Sequence, residues 1–181
     1  MSETLRVIAE RYSCRDFEGK PVEREKLDLI AAAAVQSPSG SNRQPWEIVI
    51  LTDKTLIDEM DAEGMAVLSE QEDKSVYERF MERGGKLYYN APCMFLILQR
   101  PGREMDTGIV SENISLAAAA LGLGNCICGM ARLSFDSKKG DAYKKHVGMD
   151  GEYEFGVAVL VGYAKTQKAP HDPDMSKVRY L

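Results

Sequence analysis

Residues Ser37 to Ile50 read SPSGSNRQPWEIVI, a connection that leaves an alanine-rich helix and runs straight into a strand. Such a connection needs only a stop signal and a few residues. This one carries two prolines, a glycine, three serines, an asparagine, an arginine and a glutamine, followed by the only tryptophan in the chain. Turn chemistry explains Pro38 and Gly40, which stop the helix and redirect the backbone. It leaves Ser39, Ser41, Asn42 and Gln44 unexplained, all of them able to donate or accept hydrogen bonds. Gly40 also allows a ligand to approach the backbone closely. Trp46 alone reads as a core or interface anchor.

Working outward, Leu27, Ile30, Ala31 and Ala34 mark the helix before this loop, after Pro21 and with Glu23 and Glu25 in its first turn. Leu5, Ile8, Ala9 and Tyr12 make the same stripe in an earlier helix. EIVIL (47–51) reads as a strand, with Thr52 or Asp53 capping the helix that follows, and residues 64–89 read as a charged helical stretch broken by Gly84 and Gly85. MFLIL (94–98) is a short apolar run of the kind found in buried strands. Val110, Ile114, Ala117 and Leu121 mark an alanine-rich helix, and NCICGMARL and GVAVLVGY supply two more strands around a polar helix at 136–146. The tail ends in SKVRYL, a run suited to pairing at a sheet edge. Regular β-α-β alternation is absent at the start, so the pattern points to an α+β fold with a sheet between helical layers.

At 181 residues, with no internal repeat and no low-complexity linker, the chain reads as one domain, 1–181. A net charge of −5 argues against a nucleic-acid partner. No segment approaches the roughly 18 apolar residues of a membrane span, and the N-terminus has no signal-like apolar stretch. The four cysteines form no C-x-x-C pair, which argues against structural zinc and for a reduced, cytoplasmic setting.

Three further groups could carry chemistry. Arg11, Ser13 and Arg15 alternate at the end of the first helix, so in extended backbone they point one way and form a phosphate cradle; solvated arginines are the plainer reading. Gly122 to Gly129, GLGNCICG, passes from helix to strand, the reverse of a dinucleotide-binding turn. Lys165 and Lys168 follow the last strand and would add charge to the cradle if that strand runs beside the first helix. No hydrolase, metalloprotease or P-loop motif is present, so catalysis would need a cofactor to supply the reactivity.

Taken in order, Arg11, Ser13 and Arg15, then Pro21-Val22, then Pro38, Ser39, Asn42, Gln44, Pro45 and Trp46 resemble the N-terminal signature of the nitroreductase family of flavin enzymes. Asn90-Ala91-Pro92, ALGLGNCICG and Gly162-Tyr163 extend the resemblance over nearly the whole chain, with a departure at Tyr12, where the family often has a basic residue. The resemblance implies a three-layer α-β-α fold, with a mixed, mostly antiparallel sheet flanked by helices, in an intertwined homodimer binding FMN at the subunit interface. Arg11, Tyr12, Ser13 and Arg15 would hold the phosphate and ribityl end, with Lys165 and Lys168 completing the phosphate site. Pro38, Ser39, Gly40, Asn42 and Gln44 would reach the flavin from the partner subunit. The backbone of Ile127, Cys128 and Gly129 would lie against the isoalloxazine, with Arg15 or Lys86 near N1 and O2. The implied activity is ping-pong hydride transfer through flavin N5 from NADH or NADPH to a small nitroaromatic or quinone acceptor, with no catalytic side chain. A flavin-binding module without turnover, or a divergent flavoenzyme for dehalogenation or flavin breakdown, would carry the same motifs.

Overall fold

A computed structural model describes all 181 residues. Helices α1 (Glu3–Glu10) and α2 (Arg24–Val35) precede strand β1 (Trp46–Leu51). Helices α3 (Lys54–Glu70) and α4 (Ser75–Glu82) lead to β2 (Cys93–Gln99). Helix α5 (Glu104–Ala120), β3 (Gly124–Cys128), the short α6 (Arg132–Phe135) and α7 (Gly140–Val147), and β4 (Glu154–Gly162) complete the order. The four strands form one sheet in the order β1-β2-β4-β3, each neighbouring pair antiparallel.

Strand β2 is buried along its whole length because both faces of the sheet are covered. Cys93, Phe95 and Ile97 pack with α2, α5 and Trp46, whereas Met94, Leu96 and Leu98 pack with α3, α6 and α7. Period-two geometry thus sends alternate residues into two separate cores, and each fully buried aliphatic or aromatic side chain contributes about 1.5–3 kcal/mol. The result is three layers, helices on both sides of an antiparallel sheet. No helix is long and apolar enough to cross a membrane.

Several local expectations need correction. The stripe of α1 faces outward: Val7 is buried, but Leu5 and Ile8 are 55% and 47% exposed, and Tyr12 lies beyond the helix. The charged helical stretch at 64–89 is divided first at 71–74, before Gly84 and Gly85: its start belongs to the end of α3 and the rest of its helix is α4. Asp53 rather than Thr52 is the cap of α3, accepting from the Thr55 and Leu56 N–H groups. NCICGMARL is strand only as far as Cys128, then turns into helix, and the polar helix spans only Gly140–Val147. Residues 176–181 pair with no strand of their own chain and are exposed throughout.

One buried carboxylate ties the outer helical layer to the region before β2. Asp61 of α3 accepts from the Leu87 and Tyr88 N–H groups, both at 2.9 Å. Burial pushes its carboxyl pKa up, while the two N–H donors pull it down. Tyr88 in turn bonds Ser134, whose hydroxyl donates to the Met60 carbonyl at 2.6 Å. Replacing Asp61 with Ala should strand two buried N–H groups and cost about 2–4 kcal/mol. Urea unfolding of Asp61→Ala checks this, and a loss under about 1 kcal/mol would contradict it.

Candidate functional site

Between α1 and α2 the chain is not loose. Ser13 forms a parallel bridge with Asn125, and the Cys14 N–H donates to the Asn125 carbonyl at 2.8 Å. Phe17 bridges Ala164, and the Lys165 N–H donates to the Asp16 carbonyl at 2.9 Å. The Phe17 N–H reaches Tyr89, and the Asn90 amide donates back to the Phe17 carbonyl. Residues 11–17 are therefore pinned at once to β3, to the exit of β4 and to the Tyr89–Asn90 turn.

Two glycines of the 122–129 stretch make this possible. Gly122 (φ 74°) ends α5: its own N–H bonds Ala119 and the Leu123 N–H bonds Ala118, the paired closure of a Schellman cap. At Gly124, a Cβ would come within 2.9 Å of both Cβ and Sγ of Cys14. A side chain there would push the arginine-bearing segment off β3. Both glycines shape the approach of the backbone, and both also line the cleft beside Arg11.

The pinning gathers charge from distant parts of the sequence. A cleft of about 500 Å³ is lined by Arg15, Arg83, Lys86, Lys165 and Lys168, with Asp16 and Glu82 as its acids, a net charge of +3. Arg15, Arg83, Lys165 and Lys168 join no ion pair; Lys86 lies 3.6 Å from Asp58 and donates to Asn90 at 3.3 Å. A second cleft of about 360 Å³, on the other side of the segment, is lined by Arg11, Tyr12, Gly124, Asn125 and Lys168 among others. Lys168 belongs to both. Tyr12 donates to the Thr166 carbonyl at 3.2 Å, so the residue that departs from the family pattern fastens the tail beside Arg11.

Arg11, Ser13 and Arg15 all lie close enough to Cys126 to favour its thiolate, yet burial outweighs them and its pKa is raised. Burial also pushes Cys128 up to about 12. Both stay neutral thiols packed against the α3 side of the sheet, as small hydrophobes.

The other sequence-predicted residues lie apart from these clefts. Pro38, Ser39, Gly40, Asn42 and Gln44 sit in a loop where Ser41, Asn42 and Gln44 adopt positive φ. Ser39 Oγ accepts from the Gln44 N–H at 2.9 Å, and the Gln44 amide donates to Asn42 Oδ1 at 3.2 Å. None of the five lines either arginine cleft of its own chain. Ile127 and Gly129 line a third cleft of about 680 Å³ between α5 and β4, while the Cys128 side chain is buried. Sequence reasoning missed Arg83, Asn90 and Asn125 as cleft-lining residues; Asn90 carried a signal as part of Asn-Ala-Pro and Asn125 as part of GLGNCICG, whereas Arg83 carried none.

The chain belongs to the nitroreductase family, whose sequence profile matches residues 8–163. A crystal structure of a nitroreductase with bound FMN from Desulfitobacterium hafniense DCB-2 is 47% identical, with a TM-score of 0.96 over 100% of this chain and 99% of that one. A protein of Archaeoglobus fulgidus provisionally named NADH dehydrogenase/NAD(P)H nitroreductase is 25% identical over 182 residues, covering 96% of this chain and 92% of the relative. An NADPH-flavin oxidoreductase of Vibrio harveyi is 28% identical over 136 residues, 74% of this chain and 56% of its own. The α+β sandwich described above is the fold of this family.

Gly124→Val should force Cys14 away from β3 and cost roughly 1–3 kcal/mol by overpacking. Chemical denaturation measures it, and an unchanged midpoint would mean that the close approach at Gly124 is dispensable.

Proposed function

We propose that the protein is an FMN-dependent oxidoreductase that uses NADH or NADPH to reduce small nitroaromatic or quinone acceptors, working as a homodimer. The observation that carries the reading is the cationic cleft assembled around Arg15, with four of its five cations free of ion pairs. Unpaired cations gathered in one concave site repel each other and persist where an anion compensates them. A phosphate monoester brings about −1.5 to −2 charges at neutral pH, which suits a net +3 lining. The FMN bound by the D. hafniense relative, at 47% identity, supports the same cofactor here.

When bound, FMN supplies a two-electron carrier that accepts hydride from the nicotinamide and passes it to the acceptor. The residues of this chain bind and orient. Lys168, which lines both clefts, and Arg11, held only by a 4.0 Å ion pair with Glu112, are suited to the phosphate, with Lys165 adding charge from the neighbouring cleft and Tyr12 holding the tail in reach. Ser13 lies between the two arginines at the bridge to Asn125 and offers a hydroxyl to the chain next to the phosphate. Arg15 and Lys86 line the same cleft and are suited to stabilising negative charge at the pyrimidine edge of the ring. Beyond Asn125, the outer edge of β3 at Ile127 and Cys128, and Gly129 just after it, have no neighbouring strand, leaving backbone free to meet a flat ring.

The loop Pro38–Gln44 serves the partner's cofactor in this reading, since its polar groups line no arginine cleft of their own chain. The outward faces of α1 (Leu5, Ile8) and α2 (Leu29, Val35), and an exposed tail carrying Met175, Val178 and Tyr180, favour a second copy as the missing cover. The four unbridged cysteines favour a reducing compartment, the cytoplasm.

The visible spectrum of the purified protein tests the reading. It should carry flavin absorbance that bleaches on anaerobic addition of NADH or NADPH; flavin that does not bleach would point instead to a binding module. Arg15→Ala should lose FMN on gel filtration, and full retention would remove Arg15 from the site. Ile8→Glu should shift the elution volume from dimer to monomer, and an unchanged volume would take α1 out of the interface.

A further inference from the structure

Asn125 is 1% exposed, and its Oδ1 is the one buried side-chain oxygen or nitrogen of the chain without a hydrogen-bond partner. The sheet does not need this side chain, because the backbone carbonyl of Asn125 is what receives Cys14. Leu123 belongs to the core on the α5 side and Cys126 to the other, so alternation directs the Asn125 side chain to the α5 side. Its sheet neighbours there are Val159 and Val161, and a leucine would pack better than an unpaired amide. A buried acceptor left unmade is costly, so this one calls for a donor that comes from outside the chain.

Asn125 lines the same cleft as Arg11, Tyr12 and Lys168, and Ser13 pairs with it across the bridge. A phosphate held by Arg11 and Lys168 is mostly dianionic at neutral pH and presents acceptors, so it is a poor partner for Oδ1. The donor must come from a neutral group attached to that phosphate. We propose that Asn125 is a cofactor-recognition residue whose Oδ1 accepts a hydrogen bond from a ribityl hydroxyl of FMN. The assignment rests on the flavin reading above and adds to it a residue that reads the polyol, as distinct from the phosphate or the ring.

Three ligands separate these contacts: FMN, riboflavin (polyol without phosphate) and lumiflavin (ring alone). Each is titrated by flavin fluorescence into wild type, Asn125→Leu and Asn125→Asp, and the melting temperature of each cofactor-free protein is recorded. Asn125→Leu should weaken FMN and riboflavin equally, by about threefold to tenfold, and leave lumiflavin unchanged. Its cofactor-free melting temperature should hold or rise, since an unsatisfied polar group has been removed. Asn125→Asp keeps the acceptor and should hold riboflavin affinity within about twofold. A loss confined to FMN would make the contact one to phosphate and overturn the proposal. So would unchanged affinity for all three ligands, which leaves buried water as the partner, or a lower melting temperature with affinity intact, which makes Asn125 structural. If wild type itself takes up no flavin, the flavoenzyme reading fails; if wild type binds and the leucine variant binds equally, only the role of Asn125 fails.

Discussion

The arrangement hangs on one constraint, the threading of residues 11–17 between the ends of two strands. The Cys14 N–H on Asn125 and the Lys165 N–H on Asp16 fix that segment from both sides, and Phe17 anchors it to Tyr89 and Asn90. Arg15, Lys86, Lys165 and Lys168 share a cleft only because of these backbone bonds. They are brought together by main-chain pairing, which is indifferent to their charge.

Small residues and buried polar groups do the supporting work. Gly124 removes the atom that would hold Cys14 away, and Gly122 closes α5 one residue before the chain turns into β3. Asp61 and the Tyr88–Ser134 bond hold α3, α6 and the 87–88 backbone as one unit. Lys86 and Asn90 begin from that unit, so one wall of the cationic cleft inherits its rigidity from hydrogen bonds inside the protein. The other wall is the exposed chain after β4, fastened chiefly by Tyr12 and the Lys165 N–H.

Where sequence and structure part, the cause is the same each time. The stripe Leu5-Ile8-Ala9-Tyr12 marks a helix with an apolar face, but periodicity carries no information about which body that face meets. Here only Val7 turns inward, and Leu5 and Ile8 look out. SKVRYL has strand-like composition, yet its own sheet offers it no place. Asn125 looked like part of a glycine-rich turn; its orphaned oxygen appears only once Val159, Val161 and α5 surround it.

The sequence by itself determined the class of fold, through the alternating and continuous apolar runs of the strands, and the family, through two motifs about 25 residues apart whose polar content exceeds what turns require. It also determined which side chains could meet a phosphate, since guanidinium, ammonium and hydroxyl groups at 11, 13, 15, 165 and 168 have that chemistry wherever they end up. Only the tertiary structure decided that Arg15, Lys165 and Lys168 line one cleft and Arg83 joins them, that Lys168 also lines a second cleft beside Arg11, and that the 37–44 loop lines neither within the same chain. Those are facts of long-range backbone pairing. A hydrogen bond between residues 14 and 125 leaves no local trace in composition or period, and it is that bond which turns scattered charges into a cleft.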